Sequence, residues 1–266
     1  MLEAKNIQYL VQGRPIVNKV SLQLIPGHLT AVIGPNGAGK SSLLKVLVGD
    51  YKPLGGEITY NGKPIQTYRP KELAKIRAVM PQHSQLTFPF KAKEVVELGL
   101  LSLGFSQQEL IIKEVMIETQ TWGFRDRLYT SLSGGERQRV QLARVLVQVW
   151  IGSEQPKFLF LDEPTSSLDI THQHQVLHIA SKLKQKGIAV MAILHDLNMA
   201  AAYADHVILL KEGKIYHQGS TEKVMSSQHL EYVFEHPIIV RNGYEGIPYT
   251  IQSLPIQQKN QTYKTV

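Results

Sequence analysis

Gly34-Pro35-Asn36-Gly37-Ala38-Gly39-Lys40-Ser41 decides how the rest of this sequence is read. It fits the pattern G-x-x-x-x-G-K-[ST]. An apolar run, Leu29–Ile33, precedes it, and Lys40 to Val48 has helical spacing, so the segment reads as strand, loop and helix. Glycines let backbone N–H groups turn inward around phosphate oxygens with no Cβ in the way. A helix N-terminus adds partial positive charge, Lys40 can reach β- and γ-phosphates, and Ser41 can ligate Mg²⁺. The bland alternative, a Gly-rich turn with an exposed lysine, fits the strand–loop–helix setting poorly.

Outward from this loop, short apolar runs alternate with helical ones. Leu2–Leu10, Val20–Ile25 and Leu29–Ile33 read as strands, and Asn61-Gly62 between Glu57–Tyr60 and Pro64–Ile65 signals a hairpin. Lys93 to Arg127 is helical, broken at Gly99, Gly104 and Trp122-Gly123. Gly134 to Trp150 has one apolar face. Phe158–Leu161, Ile188–Leu194, Val207–Leu210 and Lys214–His217 follow as strands, with a helix over Ile170 to Gln185 between the first two. Ile238–Val240 and Ile247–Ile251 suggest a small strand pair, and Gln257 to Val266 a frayed end. This alternation predicts a largely parallel sheet covered on both faces, an α/β fold.

Composition narrows the class. The 266 residues are ample for a buried core, and 43% hydrophobic with 19% charged suggests neither disorder nor a fibrous repeat. Cysteine is absent, which rules out disulfides, zinc-thiolate sites and thiol nucleophiles. The longest apolar candidate, Val95 to Phe105, has eleven residues including Glu97, too short for a bilayer. Met1-Leu2-Glu3-Ala4-Lys5 lacks the pattern of a secretory signal. A net charge of +7 without a dense Lys/Arg block reads as a solvated basic surface, with no nucleic-acid partner expected.

Two further stretches carry chemistry. Phe158-Leu159-Phe160-Leu161-Asp162-Glu163 delivers two carboxylates to the end of a buried strand, where open α/β sheets bind ligands. Asp162 suits a Mg²⁺ partner and Glu163 can polarise an attacking water, although such an acid also caps helices. Leu132-Ser133-Gly134-Gly135-Glu136, followed by Arg137-Gln138-Arg139, combines a capping box with a double glycine at a helix start. That makes a second anion site in one chain, which suggests a nucleotide held between two copies.

With these motifs in hand, the chain resembles the ATP-binding subunits of ABC transporters over roughly residues 1–225. Gln82 after Arg77-Ala78-Val79-Met80-Pro81, Ser166-Ser167-Leu168-Asp169 and His195 match that family in order. The resemblance implies an ABC-type P-loop nucleotide-binding domain with a RecA-like core, an N-terminal antiparallel β subdomain and an α-helical signature subdomain at about 90–150. Residues 226–266 would be a small C-terminal extension packed on it. It also implies ATP and Mg²⁺ as ligands. Gly34, Pro35, Asn36, Gly37, Ala38, Gly39, Lys40, Ser41 and Ser42 would contact nucleotide, as would Ser133, Gly134, Gly135 and Asp169. Ser41, Gln82 and Asp162 would hold the metal, and Glu163, His195, Gln82 and Lys40 would serve catalysis. The partners implied are a second copy, a separate integral-membrane permease dimer and, indirectly, a periplasmic binding protein. The location implied is the cytoplasmic face of the inner membrane.

Within that family the order Ala143-Arg144-Val145-Leu146 to Trp150, a short Gly/Ser/Glu insertion, and Pro164 to His174 resembles haem-importer ATPases. Gly246-Ile247-Pro248 also resembles the wider iron–siderophore, haem and cobalamin group. Val11 stands near the position where the family stacks adenine on an aromatic ring; either Tyr9 serves instead or the stack is weak. Ser167 replaces the usual Ala. His174 and His178 share a helix face, read as solvated rather than metal-binding, and Phe88-Pro89-Phe90 is either local packing or a docking surface. Two rivals are a soluble ATPase acting on ribosomes or DNA, and a catalytically idle binding module. The first would need a second such domain or sustained heptads between Gly39 and Ser131, and the sequence shows neither; the presence of Lys40, Asp162, Glu163 and His195 opposes the second.

Overall fold

An uninterrupted apolar run such as Leu29–Ile33 is stable as a strand only where both sheet faces are covered, and all five of its residues are buried. The computed structural model describes residues 1–82, 86, 88–101, 108–150, 155–166, 168–243 and 249–254. The chain opens with β1 (Leu2–Val11), β2 (Arg14–Leu24), β3 (Leu29–Ile33) and α1 (Lys40–Leu47). It continues through β4 (Gly55–Tyr60), β5 (Lys63–Pro64), α2 (Pro70–Ile76), β6 (Arg77–Met80), α3 (Ala92–Glu97), α4 (Gln108–Glu118) and α5 (Gly134–Trp150). Then come β7 (Phe158–Asp162), α6 (Ile170–Gln185), β8 (Ala189–Ile193), α7 (Leu197–Tyr203), β9 (His206–Lys211) and β10 (Lys214–Ser220). The last described elements are α8 (Thr221–Val224), α9 (Ser227–Phe234), β11 (Ile238–Asn242) and β12 (Tyr249–Ser253).

Six strands form the central sheet in the order β10-β9-β3-β8-β7-β6. All its pairs are parallel except β9 with β10, which are joined by a tight turn. A four-stranded antiparallel sheet, β2-β1-β4-β5, forms the N-terminal layer, and β11 pairs with β12 separately. The fold is therefore mixed α/β, with an antiparallel N-terminal part and a helical part, as the resemblance implies.

Strand alternation divides the core in two. Leu159 and Leu161 face a cluster built with α3 to α7, while Phe158 and Phe160 face the cluster shared with α1 and the antiparallel sheet. The edge-to-face contact of Tyr60 and Phe158, centroids 4.9 Å apart, joins the two sheets. Leu230, Val233, Ile238 and Ile251 seat the C-terminal elements on the first cluster.

Most strand and helix positions agree with the sequence expectation, and Leu29–Ile33 and Ile170–Gln185 agree to the residue. The second strand begins at Arg14, six residues earlier than expected. Gln12 and Gly13, both at positive φ, close a two-residue turn that pairs Val11 with Arg14. The turn forces pairing on residues whose own polarity gives little strand signal. The insertion near Gly152, Ser167, Gly246-Ile247-Pro248 and the stretch after Leu254 lie outside the described residues.

Because Phe160 is fully buried between two sheets, Phe160→Ala should cost about 3–5 kcal/mol of stability. Urea unfolding should show a lowered midpoint with an unchanged slope.

Candidate functional site

The loop after β3 is shaped by two glycines that no other residue could replace. Gly39 has φ +97, and a Cβ there would sit 2.5 Å from the Ile16 carbonyl oxygen. A Cβ on Gly34 would collide with the Leu210 carbonyl oxygen. The loop thus lies directly on the neighbouring backbone and leaves a cleft of about 320 Å³, lined by Asn36, Gly37, Gly39, Lys40, Ser41 and Ser42 together with Ile16 and Glu163. Lys40 is 6% exposed. Its ammonium donates to the carbonyls of Gly34, at 2.8 Å, and Pro35, at 3.0 Å. Burial lowers the Lys40 pKa, and the charges of Glu163 and Asp162 oppose that shift.

β7 brings the two carboxylates to the same edge. Asp162 is 3% exposed and accepts a hydrogen bond from Ser41 Oγ at 3.0 Å. Burial pushes its carboxyl pKa up, and the neighbouring Glu163 adds to this, while the Ser41 bond, Lys45 and Lys40 oppose it. Glu163 is held at both oxygens: Gln82 Nε2 donates to Oε2 at 2.7 Å, and His195 Nε2 lies 2.7 Å from Oε1. Phosphate loop, acidic strand end, Gln82 and His195 therefore form one constellation. A hydroxyl and a buried carboxylate 3.0 Å apart suit a hard cation such as Mg²⁺, and the glycine cradle suits phosphate.

Glu163 also has φ 52, a left-handed backbone costing about 1–2 kcal/mol for a non-glycine residue. Such strain persists only where neighbours over-determine it. Here Ser166 Oγ donates to the Glu163 carbonyl at 3.2 Å, and Gln138 Nε2 to the Pro164 carbonyl at 2.7 Å. Gln173 Nε2 reaches the carbonyls of Thr165, at 3.2 Å, and Leu168, at 3.0 Å. Gln138 and Gln173 are supports that sequence reasoning missed. Gln138 is brought to Pro164 only by the fold, while Gln173 is near in sequence but bonds to carbonyls, which any residue type supplies and which leave no pattern.

Other expected residues lie apart from this constellation. Ser133 and Glu136 form the reciprocal capping box at the start of α5, with bonds of 2.8 and 3.3 Å, and Ser133 and Gly134 are exposed. Asp169 caps α6, accepting from the His172 N–H at 2.9 Å and lying 2.8 Å from its Nδ1. Tyr9 stacks on Tyr51 with centroids 5.0 Å apart, so one face of the ring is already covered, and Val11 is exposed. His174 Nδ1 meets the Tyr203 hydroxyl at 2.8 Å. No cluster of His, Asp or Glu able to hold a metal exists among the described residues. Phe88 is exposed, while Phe90 packs partly on the core.

The model of the family described as ABC transporter matches residues 17–166. This chain belongs to the ABC transporter ATP-binding family. It is 42% identical over 257 residues to "Hemin import ATP-binding protein HmuV" of Gloeobacter violaceus, covering 94% of both chains. It is 45% identical over 242 residues to the protein of that name in Aliivibrio fischeri, covering 90% of this chain and 92% of that one. A solved metal-chelate type ABC transporter in an inward-facing conformation shares its fold with TM-score 0.78 at 26% identity, covering 96% of both chains. CbiO1 from Clostridium perfringens, part of the ABC transporter complex cbiONQ, matches with TM-score 0.73 at 27% identity, covering 87% of this chain and 92% of that one. As a member of this family the chain binds ATP and is an ATP-hydrolysing transporter subunit. None of its described helices is long and apolar enough to cross a membrane.

The raised Asp162 pKa carries a stability consequence. An acid whose pKa rises on folding favours the protonated native state, so that contribution is present at low pH and lost as pH rises through the folded value. At pH 7 the ionised group is therefore a cost. Asp162→Asn, which keeps an oxygen for Ser41, should melt above the wild type at pH 7 without ligands. The gap should narrow as the pH approaches the ordinary aspartate value of 3.8. Calorimetry across that pH range checks both signs.

Proposed function

We propose that this chain is the ATPase of a haem importer, working as a homodimer beneath a separate membrane permease at the cytoplasmic face of the inner membrane. The observation that carries the catalytic part is Glu163 held between Gln82 and His195 beside the Lys40 loop. The haem assignment rests on relatives named for hemin import at 37–45% identity. Residues 1–225 would form the ATPase domain, with the helical part at about 90–150, and 226–266 the extension.

In this reading Gly34 to Ser42 cradle the phosphates of ATP through backbone N–H groups and the Lys40 ammonium. Mg²⁺, held by Ser41, Gln82 and Asp162, would neutralise β- and γ-phosphate oxygens. Glu163 accepts a proton from a water whose oxygen bonds to the γ-phosphorus as the bond to the bridging oxygen breaks, releasing ADP and phosphate. His195 and Lys40 face the charge that develops on the transferring group. Ser133 and Gly134 are exposed at the start of α5, which supports a role against nucleotide held by a second copy, with Gly135 and Asp169 at the same seam. Closing and opening of the two copies would move the permease between its two orientations. A periplasmic binding protein would deliver the haem.

A metal chelate other than haem is the second reading, favoured by the metal-chelate type transporter among the structural relatives. A ferric siderophore or cobalamin would then replace haem without changing the ATPase.

Glu163→Gln should bind Mg-ATP but hydrolyse it at least about 100-fold more slowly, eluting as a dimer with ATP in excess. Lys40→Ala should lose nucleotide affinity itself. ATPase activity of the permease complex in lipid should rise with a haem-loaded binding protein and not with a siderophore-loaded one. The reverse pattern would move the assignment to the second reading.

A further inference from the structure

The C-terminal hairpin and the helix that follows His195 both lie outside the stretch that the family model matches, and they are bound to each other. α7 has seven residues, under two turns, and a helix this short takes its orientation from what it packs against. Its fully buried residues are Met199, Ala200 and Ala201; Leu197 and Tyr203 are partly buried against the core, and the Tyr203 hydroxyl lies 2.8 Å from His174 Nδ1. On its outer side, Asn198 Nδ2 donates to the Ile251 carbonyl at 3.1 Å, while the Ile251 N–H donates to Asn198 Oδ1 at 2.7 Å. One planar amide thus pairs with β12 as a neighbouring strand residue would. Two bonds from one rigid group set rotation as well as distance.

The hairpin is itself firmly seated. Glu231 accepts from the Ile238 N–H at 3.1 Å and Ser227 from the Val240 N–H at 2.9 Å. His236 Nε2 lies 2.7 Å from the Leu254 carbonyl, and Ile238 and Ile251 are buried. At the other end of this chain of contacts, Asp196 caps α7 through the Met199 N–H at 3.0 Å, and the adjoining His195 meets Glu163.

We infer that the β11–β12 hairpin is a brace for the catalytic centre, and that Asn198 is the positioning residue through which it aims His195 at Glu163. The inference rests on the catalytic reading above. It gives β11 and β12 a role in turnover and not only in packing against the core. Displacing a reacting group by about 1 Å costs up to about 100-fold in rate, so a loosened α7 lowers turnover while the Lys40 loop still binds nucleotide.

The test measures kcat and KM for ATP in the full-length chain, well below each variant's melting temperature. Asn198→Ala should lower kcat about five- to twentyfold with KM within about twofold. Asn198→Asp keeps the acceptor for the Ile251 N–H and loses the donor, so it should fall between the two; it also decides the matter if the alanine variant fails to fold. A lowered melting temperature with kcat within twofold of wild type for both variants makes the clip structural only and overturns the inference. A raised KM with unchanged kcat overturns it as well. Glu163→Gln is the control: if it is inactive while Asn198→Ala is fully active, the brace alone is wrong. If Glu163→Gln hydrolyses ATP normally, the catalytic reading fails and the brace fails with it.

Discussion

Parallel pairing of β3, β8 and β7 is the constraint on which the site depends. Val32 is paired with Ile193, and Ile193 with Asp162, so three strands end at one level. The loop from Gly34, the carboxylates at 162 and 163 and the histidine at 195 leave the sheet side by side for that reason. A slip of one residue in β7 would exchange Phe158 and Phe160 with Leu159 and Leu161 between the two cores and turn Asp162 away from Ser41. The aromatic residues facing the antiparallel sheet therefore enforce the register that assembles the chemistry.

What this edge gathers is costly to hold together. A buried ammonium, a buried carboxylate with a raised pKa and a second carboxylate on a left-handed backbone share a small volume. None would be selected for stability alone, and each is restrained by bonds from elsewhere in the chain. Ser41 holds Asp162, the Gly34 and Pro35 carbonyls hold Lys40, and Gln138 and Gln173 hold the loop beyond Glu163. The strain sits where charged ligands and reacting groups would offset it.

These restraints also connect the centre to outlying parts. Gln138 belongs to α5, which Ser133 caps, so movement of that exposed helix start would be felt at Pro164. Asn198 does the same for the C-terminal hairpin. Under the two-copy reading, events at the surface reach Glu163 through side chains that themselves touch no nucleotide.

Much of this was legible in the residues. The glycine spacing, the apolar runs ending in acid, and the capping box each reflect local chemistry, where a backbone conformation or helix end demands particular side chains. Leu29–Ile33, Ile170–Gln185 and Gly134–Trp150 could be read for the same reason, since burial periodicity is written along the chain. The start of β2 at Arg14 could not, because pairing across a tight turn outweighs weak local preference. Nor could the covering of Tyr9 by Tyr51, the grip of Gln82 and His195 on Glu163, or the clip between Asn198 and Ile251. Local residue pattern accounts for most of the strands, loops and helices and for the charged residues at their ends. Which of those ends meet follows from the assembled sheet alone, because contacts between residues dozens of positions apart depend on strand order and register, to which no local pattern refers.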